Sequence, residues 1–278
     1  MRKLEAKLWP FVFALVPILS VWLFVAAPGE ATGKSWWFPE DVSTYGGDID
    51  ALFNIILAIT GFMFVVTNAA LVWFMWRYGH EDEGRRATFI HGSHNLEVFW
   101  TVIPAAVLLF IALFQMGTWK RVKFTKEFPN APIHADVTAG QFEWRITYPG
   151  PDGKVGTRDD VHGVNKLVVP VETDIVIHLK SRDVLHSFFL PNLRLKQDAV
   201  PGMTIPVWFR ARRAGEFELM CAELCGWGHY KMKGWLSVVS KPDFVKWLAD
   251  EKAREEAERD DGKAFGDAGR PPGEKKPG

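Results

Sequence analysis

Cys221-Ala222-Glu223-Leu224-Cys225-Gly226-Trp227-Gly228-His229-Tyr230-Lys231-Met232 holds both cysteines of a chain of 278 residues. As ligands the run reads C-x3-C-x3-H-x2-M, with Glu223 between the cysteines. Two thiolates, an imidazole and a thioether are soft donors, which select copper, zinc or iron–sulfur chemistry over magnesium or calcium. The thioether tilts the choice toward copper, because zinc sites use Cys, His and carboxylate. Two core cysteines are the plainer alternative, since a free thiol packs as a small hydrophobe. Gly226, Trp227 and Gly228 read instead as a tight loop, and a disulfide spanning so short a segment would be strained. Haem attachment needs C-x-x-C-H, which the chain lacks, and a zinc site needs four ligands at other spacings.

A copper site of this kind needs a second imidazole. His186, in Asp183-Val184-Leu185-His186-Ser187-Phe188, follows an apolar segment at 175–179 and precedes a turn at Pro191-Asn192. Alone it would read as a loop or core histidine. Beside the cysteine run it becomes the candidate second imidazole ligand.

Together these residues resemble the dinuclear copper (CuA) domain of cytochrome c oxidase subunit II, a likeness that covers about Asp48 to Ser240. The resemblance implies that Cys221 and Cys225 bridge two copper ions. It assigns one copper each to His186 and His229, with Met232 and the Glu223 backbone carbonyl as weak ligands. Bridging thiolates let one electron be shared by both metals, so little reorganisation accompanies transfer. A stiff loop and a dry apolar shell serve the same end; Phe188, Phe189, Leu190, Trp227 and Trp235 are candidates for that shell, or plain sandwich core. The Glu223 carboxylate would help hold a magnesium or manganese ion at the interface with subunit I, hard ions that suit carboxylate and water. The implied partners are subunit I with its haem and CuB, the other oxidase subunits, a cytochrome c or a membrane-bound or complex-attached cytochrome donor, and the lipid bilayer. The implied activity is that of cytochrome-c oxidase. This chain would carry electrons inward, and subunit I would reduce oxygen to water with proton translocation.

The first 120 residues are apolar and the remainder mixed. Leu52 to Trp76 and Val98 to Met116 are apolar stretches bounded by charges and tryptophans. Each reaches the roughly 20 residues that span a bilayer. Pro104 is tolerable in such a helix. The segment Tyr78 to Asn95, with Arg85 and Arg86, reads as cytoplasmic, because basic residues set topology. Everything from Thr118 onward is then outside, although Lys120, Arg121, Lys123 and Lys126 sit there against the rule. Leu8 to Ala27 follows Arg2, Lys3 and Lys7, and is either a signal peptide or a further span; its length favours a retained helix. Glu97 opens the second hairpin helix, where the helix dipole favours a carboxylate. The resemblance places there a glutamate at the mouth of a proton path.

From Ile133 onward the pattern is of short β-rich runs at 136–137, 142–147, 167–169, 174–180, 204–211, 216–220 and 235–239. They read as a Greek-key sandwich, cupredoxin-like by the resemblance, with the ligands in loops at one end. The fold class is therefore α+β. A transmembrane helical hairpin at 35–120, preceded by the apolar segment 1–34, carries an exported sandwich at 121–240. A charged surface helix over Lys241–Arg259 and a disordered, Gly- and Pro-rich tail from Asp260 complete residues 241–278. The loop at 151–160 is rich in Gly and Asp, and reads as a solvated hairpin tip, with calcium binding as the rival.

One departure from the family pattern stands out. Where the family reads Gln-Trp-x-Trp, this chain has Gln141-Phe142-Glu143-Trp144. Phe142 and Trp144, two residues apart and so on one strand face, are the candidates for receiving the electron. Loss of the indole at Phe142 points to a donor other than a small soluble cytochrome c. Asp183 matches an acidic docking position and retains some steering of a cationic donor. A net charge of zero gives no argument for nucleic acid. The location expected is a bacterial-type cytoplasmic membrane, crossed more than once, with the copper domain outside. A copper-bearing nitric oxide reductase subunit and a copper-binding assembly protein remain as rivals.

Overall fold

The computed structural model describes residues 2–26, 37–78 and 88–268. Residues 27–36, most of the segment expected to be cytoplasmic, with Arg85 and Arg86, and the tail from residue 269 lie outside the described residues. The chain divides into two compact units, Met1–Pro39 with Gly47–Lys120, and Glu40–Gly46 with Arg121–Gly278.

The first unit is built on helices α1 (Arg2–Ala26), α2 (Gly46–Tyr78) and α3 (His94–Lys123). All three are long and apolar enough to cross a membrane, with a mean hydropathy of 2.3 over the relevant windows. At 1.5 Å per residue, the 33 residues of α2 reach about 50 Å. Large apolar side chains such as Phe62, Trp73, Leu108 and Phe114 point outward without a polar stripe, as lipid demands. The few polar groups turn back onto the helix backbone. Thr60 Oγ1 donates to Ile56 O at 2.9 Å, Thr67 Oγ1 to Met63 O at 2.8 Å, and Asn68 Nδ2 to Phe64 O at 2.8 Å. Each bond spares a polar atom from facing hydrocarbon unpaired. Glu97 is exposed in the first turn of α3, where its N–H donates to Ser93 O at 3.0 Å.

The second unit is a two-sheet sandwich. Its strands are β1 (Ile133–Gly140), β2 (Glu143–Tyr148), β3 (Val161–Val164), β4 (Lys166–Pro170), β5 (Ile175–Ser181), β6 (His186–Leu190), β7 (Leu195–Ala199), β8 (Ile205–Phe209), β9 (Gly215–Cys221) and β10 (Lys233–Val239). One sheet runs β3-β2-β1-β5-β8 and the other β4-β10-β9-β6-β7. The β1/β5 and β4/β10 pairs are parallel and the other pairs antiparallel. Alternation decides which side chains enter the core. In β2, Trp144, Ile146 and Tyr148 are buried while Glu143, Arg145 and Thr147 are not. Trp144 meets Phe188, and Phe188, Leu167 and Leu236 are almost wholly inaccessible.

All seven β-rich runs in the sequence coincide with strands, and three further strands appear. β3, β6 and β7 are short, polar or broken by His and Gln, so their apolar signal is weak. Two placements differ from expectation. His186 opens strand β6 rather than lying in a loop, and Phe142 precedes β2 at a turn, so it shares no strand face with Trp144. The 151–160 segment joins the antiparallel strands β2 and β3, as a hairpin tip does. Asp160 there is buried and accepts from Gly156 N at 2.6 Å and Thr157 N at 3.2 Å, so the loop uses its own carboxylate to shape its backbone.

Two segments attach to the sandwich that periodicity does not mark. Residues 40–46 form a strap: Val42 N donates to Asn192 O at 2.9 Å, Arg212 N to Val42 O at 2.7 Å, and Tyr45 buries its ring against Trp208. Helix α4 (Lys241–Ala268) begins on a reciprocal cap, with Asp243 N donating to Ser240 Oγ and Ser240 Oγ to Asp243 Oδ2. It continues past Arg259, where the charged pattern suggested an end. Its first turns are docked rather than solvated, because Phe244 and Trp247 pack on Tyr148 and Phe244 also meets His134.

Tyr148 is both core ring and hydrogen-bond partner, since its Oη accepts the buried Val168 N–H at 2.7 Å. Tyr148→Phe leaves that donor unpaired, so urea unfolding of the solubilised chain should show a loss of about 1–3 kcal/mol.

Candidate metal centre

The ligand run hangs between β9 and β10, two neighbours in one sheet. Cys221 N donates to Met232 O at 3.2 Å and closes the loop at its base. Ala222 N donates to Ser187 O at 3.0 Å, tying the loop to β6. A single turn of 3-10 helix at His229–Lys231 carries the chain back. Pairing of β6 with β9 sets Phe188 opposite Cys221, which brings His186 to the same end of the sheet.

The six positions expected from the sequence converge. Cys221 Sγ and Cys225 Sγ are 3.9 Å apart and both are free thiols. His186 Nδ1 lies 3.9 Å from Cys221 Sγ, and His229 Nδ1 lies 3.6 Å from Cys225 Sγ. Met232 Sδ is 3.8 Å from Cys225 Sγ, and the Glu223 carbonyl oxygen is 3.2 Å from Cys221 Sγ. Two ligands 2.0–2.3 Å from one ion stand roughly 3.5 Å apart at a tetrahedral angle. These separations therefore suit shared coordination spheres, and the soft donor set fits copper. The arrangement is paired: each thiol has its own imidazole and its own weaker third donor. His186, Cys225 and Met232 are buried, while Cys221, Glu223 and His229 are partly exposed.

The surroundings hold the ligands in place. His186 turns Nδ1 toward the thiol and Nε2 toward Asp183 Oδ1, at 2.8 Å. A carboxylate on the far ring nitrogen fixes a ligand histidine's tautomer and orientation. Asp183 also accepts from Gln141 N and Val184 N, both at 2.7 Å. Partial burial pushes its carboxyl up, but the hydrogen bonds from His186, Gln141 and Val184 outweigh this and leave it below the usual carboxylate range. Cys225 moves the other way: burial, then the neighbouring Cys221, push its thiol up to about 11. Trp144 is fully buried, edge-on to His186 at 6.4 Å and to Phe188 at 5.5 Å, so it walls the site instead of meeting a partner. Phe142 packs beneath the loop against Trp227, at 5.2 Å. Gln141, whose Nε2 donates to Cys225 O, escaped the sequence reading. Its signal was its place beside Phe142.

A β-sandwich with apolar helices and a paired soft-donor site at one end defines a membrane-anchored, redox-metal domain. The family model for the periplasmic domain of cytochrome c oxidase subunit II matches residues 146–239, and that for its transmembrane domain matches residues 31–117. The alternative cytochrome c oxidase subunit 2 of Bradyrhizobium diazoefficiens is 32% identical over 239 residues, covering 78% of this chain and 84% of that one. Cytochrome c oxidase subunit 2 of Cereibacter sphaeroides is 30% identical over 248 residues, covering 78% and 80%. That of Thermostichus vulcanus is 28% identical, covering 91% and 88%. A crystal structure of the periplasmic domain of subunit II of cytochrome oxidase from Bradyrhizobium japonicum is 30% identical, covers 45% of this chain and 97% of that one, and has a TM-score of 0.41. The chain belongs to the cytochrome c oxidase subunit II family. It is a membrane protein with an outward-facing sandwich domain.

Because a thiolate, not a thiol, ligates metal, loading must drive the proton from the Cys225 thiol. With Cys225 raised to about 11, copper affinity should rise with pH across the neutral and mildly alkaline range, with proton release seen by calorimetry in buffers of different ionisation enthalpy.

Proposed function

We propose that this chain is the electron-accepting subunit of a haem–copper cytochrome c oxidase. It takes single electrons from a cytochrome outside the membrane and passes them to haem in subunit I, where oxygen is reduced to water with proton translocation. The observation that carries this reading is the paired geometry, two thiols 3.9 Å apart, each with its own imidazole. When bound, a copper pair supplies a one-electron couple spread over two metals. Cys221, Cys225, His186 and His229 would hold it, with Met232 and the Glu223 carbonyl as weaker donors. Asp183 is a positioning residue that holds the His186 ring. Trp144 and Phe188 keep water out.

Four finer assignments belong to the same proposal. The Glu223 side chain is partly exposed and free to join a magnesium or manganese site completed by subunit I. Glu97, exposed at the start of α3, stands at the mouth of a proton path. The donor is a cytochrome c or a membrane-bound or complex-attached cytochrome, the latter favoured by Phe142 in place of an indole. The membrane is the cytoplasmic membrane of a bacterial-type cell, with the copper domain on its outer face.

Copper content and EPR of the detergent-solubilised chain test the reading. The expected result is two coppers per chain and a hyperfine pattern from one unpaired electron shared by two equal copper nuclei. One copper with a mononuclear pattern, or zinc, would promote a copper-binding assembly protein instead. Asp183→Ala should lower copper affinity about 10–100-fold by freeing the His186 ring, read by competition with a chelator.

A further inference from the structure

The ligand loop carries an indole to which no ligand role falls. Trp227 lies midway between Cys225 and His229 and is 77% exposed. Leu224 and Tyr230, in the same loop, are as open to solvent. Three large exposed side chains on one short loop beside a redox site mark a contact surface.

The glycines on either side of the indole explain its position. A Cβ at Gly228 would lie 2.5 Å from Phe142 Cδ2, and one at Gly226 would lie 2.8 Å from Gln141 Nε2. The Phe142 ring thus fills the notch under the loop, and only glycine fits above it on both sides. With the backbone pressed onto Phe142, the side chain at 227 is lifted out. Its indole meets Phe142 edge-on, and Lys231 Nζ covers one ring face at 4.4 Å. The two residues expected to receive the electron are less available. Trp144 is wholly buried, and Phe142 is partly covered by the loop.

We propose that Trp227 is the donor-facing residue, a role that rests on the oxidase reading above. A c-type cytochrome docks its apolar haem edge on Leu224, Trp227 and Tyr230. One electron then crosses the indole to the copper pair through the two short chain segments that lead to Cys225 and His229. The ferrous haem is oxidised by one electron and the copper pair reduced by one. Trp227 undergoes no net change, no bond forms or breaks, and no proton moves. Asp183, engaged by His186, Gln141 and Val184, leaves the apolar patch to dominate the contact.

The test uses the assembled oxidase complex in detergent. Reduction of the copper centre is followed by stopped flow with two ferrous c-type cytochromes as probes, one acidic and one basic, and with hexaammineruthenium(II), which needs no docking. Donor affinity is measured in parallel by calorimetry. In Trp227→Ala, the ratio of the faster cytochrome rate to the ruthenium rate should fall about tenfold, as loss of a central Trp anchor does. Trp227→Phe should keep part of that ratio, and donor affinity should fall in the same order. An unchanged ratio in both variants overturns the proposal, as does a wild-type complex that neither cytochrome reduces. Equal slowing with both reductants and an altered EPR spectrum would make Trp227 structural and also overturn it. If Trp227→Ala loses its copper, Trp227→Phe is read by the same ratio. Absence of the two-copper EPR signal in the wild type would instead sink the oxidase reading itself.

Discussion

Two thiols held 3.9 Å apart at the end of a sandwich are an arrangement that the protein alone does not favour. Burial and the neighbouring sulfur push Cys225 up to about 11, so without metal that thiol stays protonated. A soft cation reverses that balance, since each thiolate then faces positive charge rather than its twin. The rest of the site follows from this constraint. The sulfurs must be kept close, kept dry and kept from drifting into other pairings. The bond from Cys221 N to Met232 O closes the loop that brings Cys225 back to Cys221, the buried rings of Trp144 and Phe188 help keep the site dry, and the β6/β9 register fixes His186 beside Cys221.

The ligands are graded in how firmly they are held. His186 opens a strand, is fully buried and has its far nitrogen tied to Asp183. His229 sits in a single 3-10 turn and is partly exposed. A site so divided has one rigid flank in the sheet and one flank on a loop that reaches solvent. Rigid scaffold below and loop above is a common way to combine fixed geometry with access for a partner. Gln141 links the two flanks: its N–H donates to Asp183, and its side chain donates to Cys225 O.

Different physics governs the helices. Their stability in lipid comes from complete backbone pairing and from polar side chains that turn back onto their own carbonyls, as Thr60, Thr67 and Asn68 do. An outward apolar surface there reflects the solvent and not a missing partner. In the sandwich, by contrast, an outward apolar group such as Trp227 faces water, and its exposure carries information.

Chemistry that depends on residue type and spacing was legible in the chain itself. The C-x3-C-x3-H-x2-M run, the second histidine, the apolar stretches and most strands could all be read from order alone, because ligand identity and hydropathic period are local properties. Strands β3, β6 and β7 escaped, since cross-strand pairing and not their own propensity makes them strands. The docked face of α4 escaped as well: two aromatics in a charged helix look solvated until Tyr148 is seen beneath them. Only tertiary structure decided that Asp183 orients His186, that Trp144 is a wall and not a surface, and that Phe142 lifts Trp227 into solvent. Each of these depends on which side chains meet across sheets and loops far apart in sequence, and that is settled by packing.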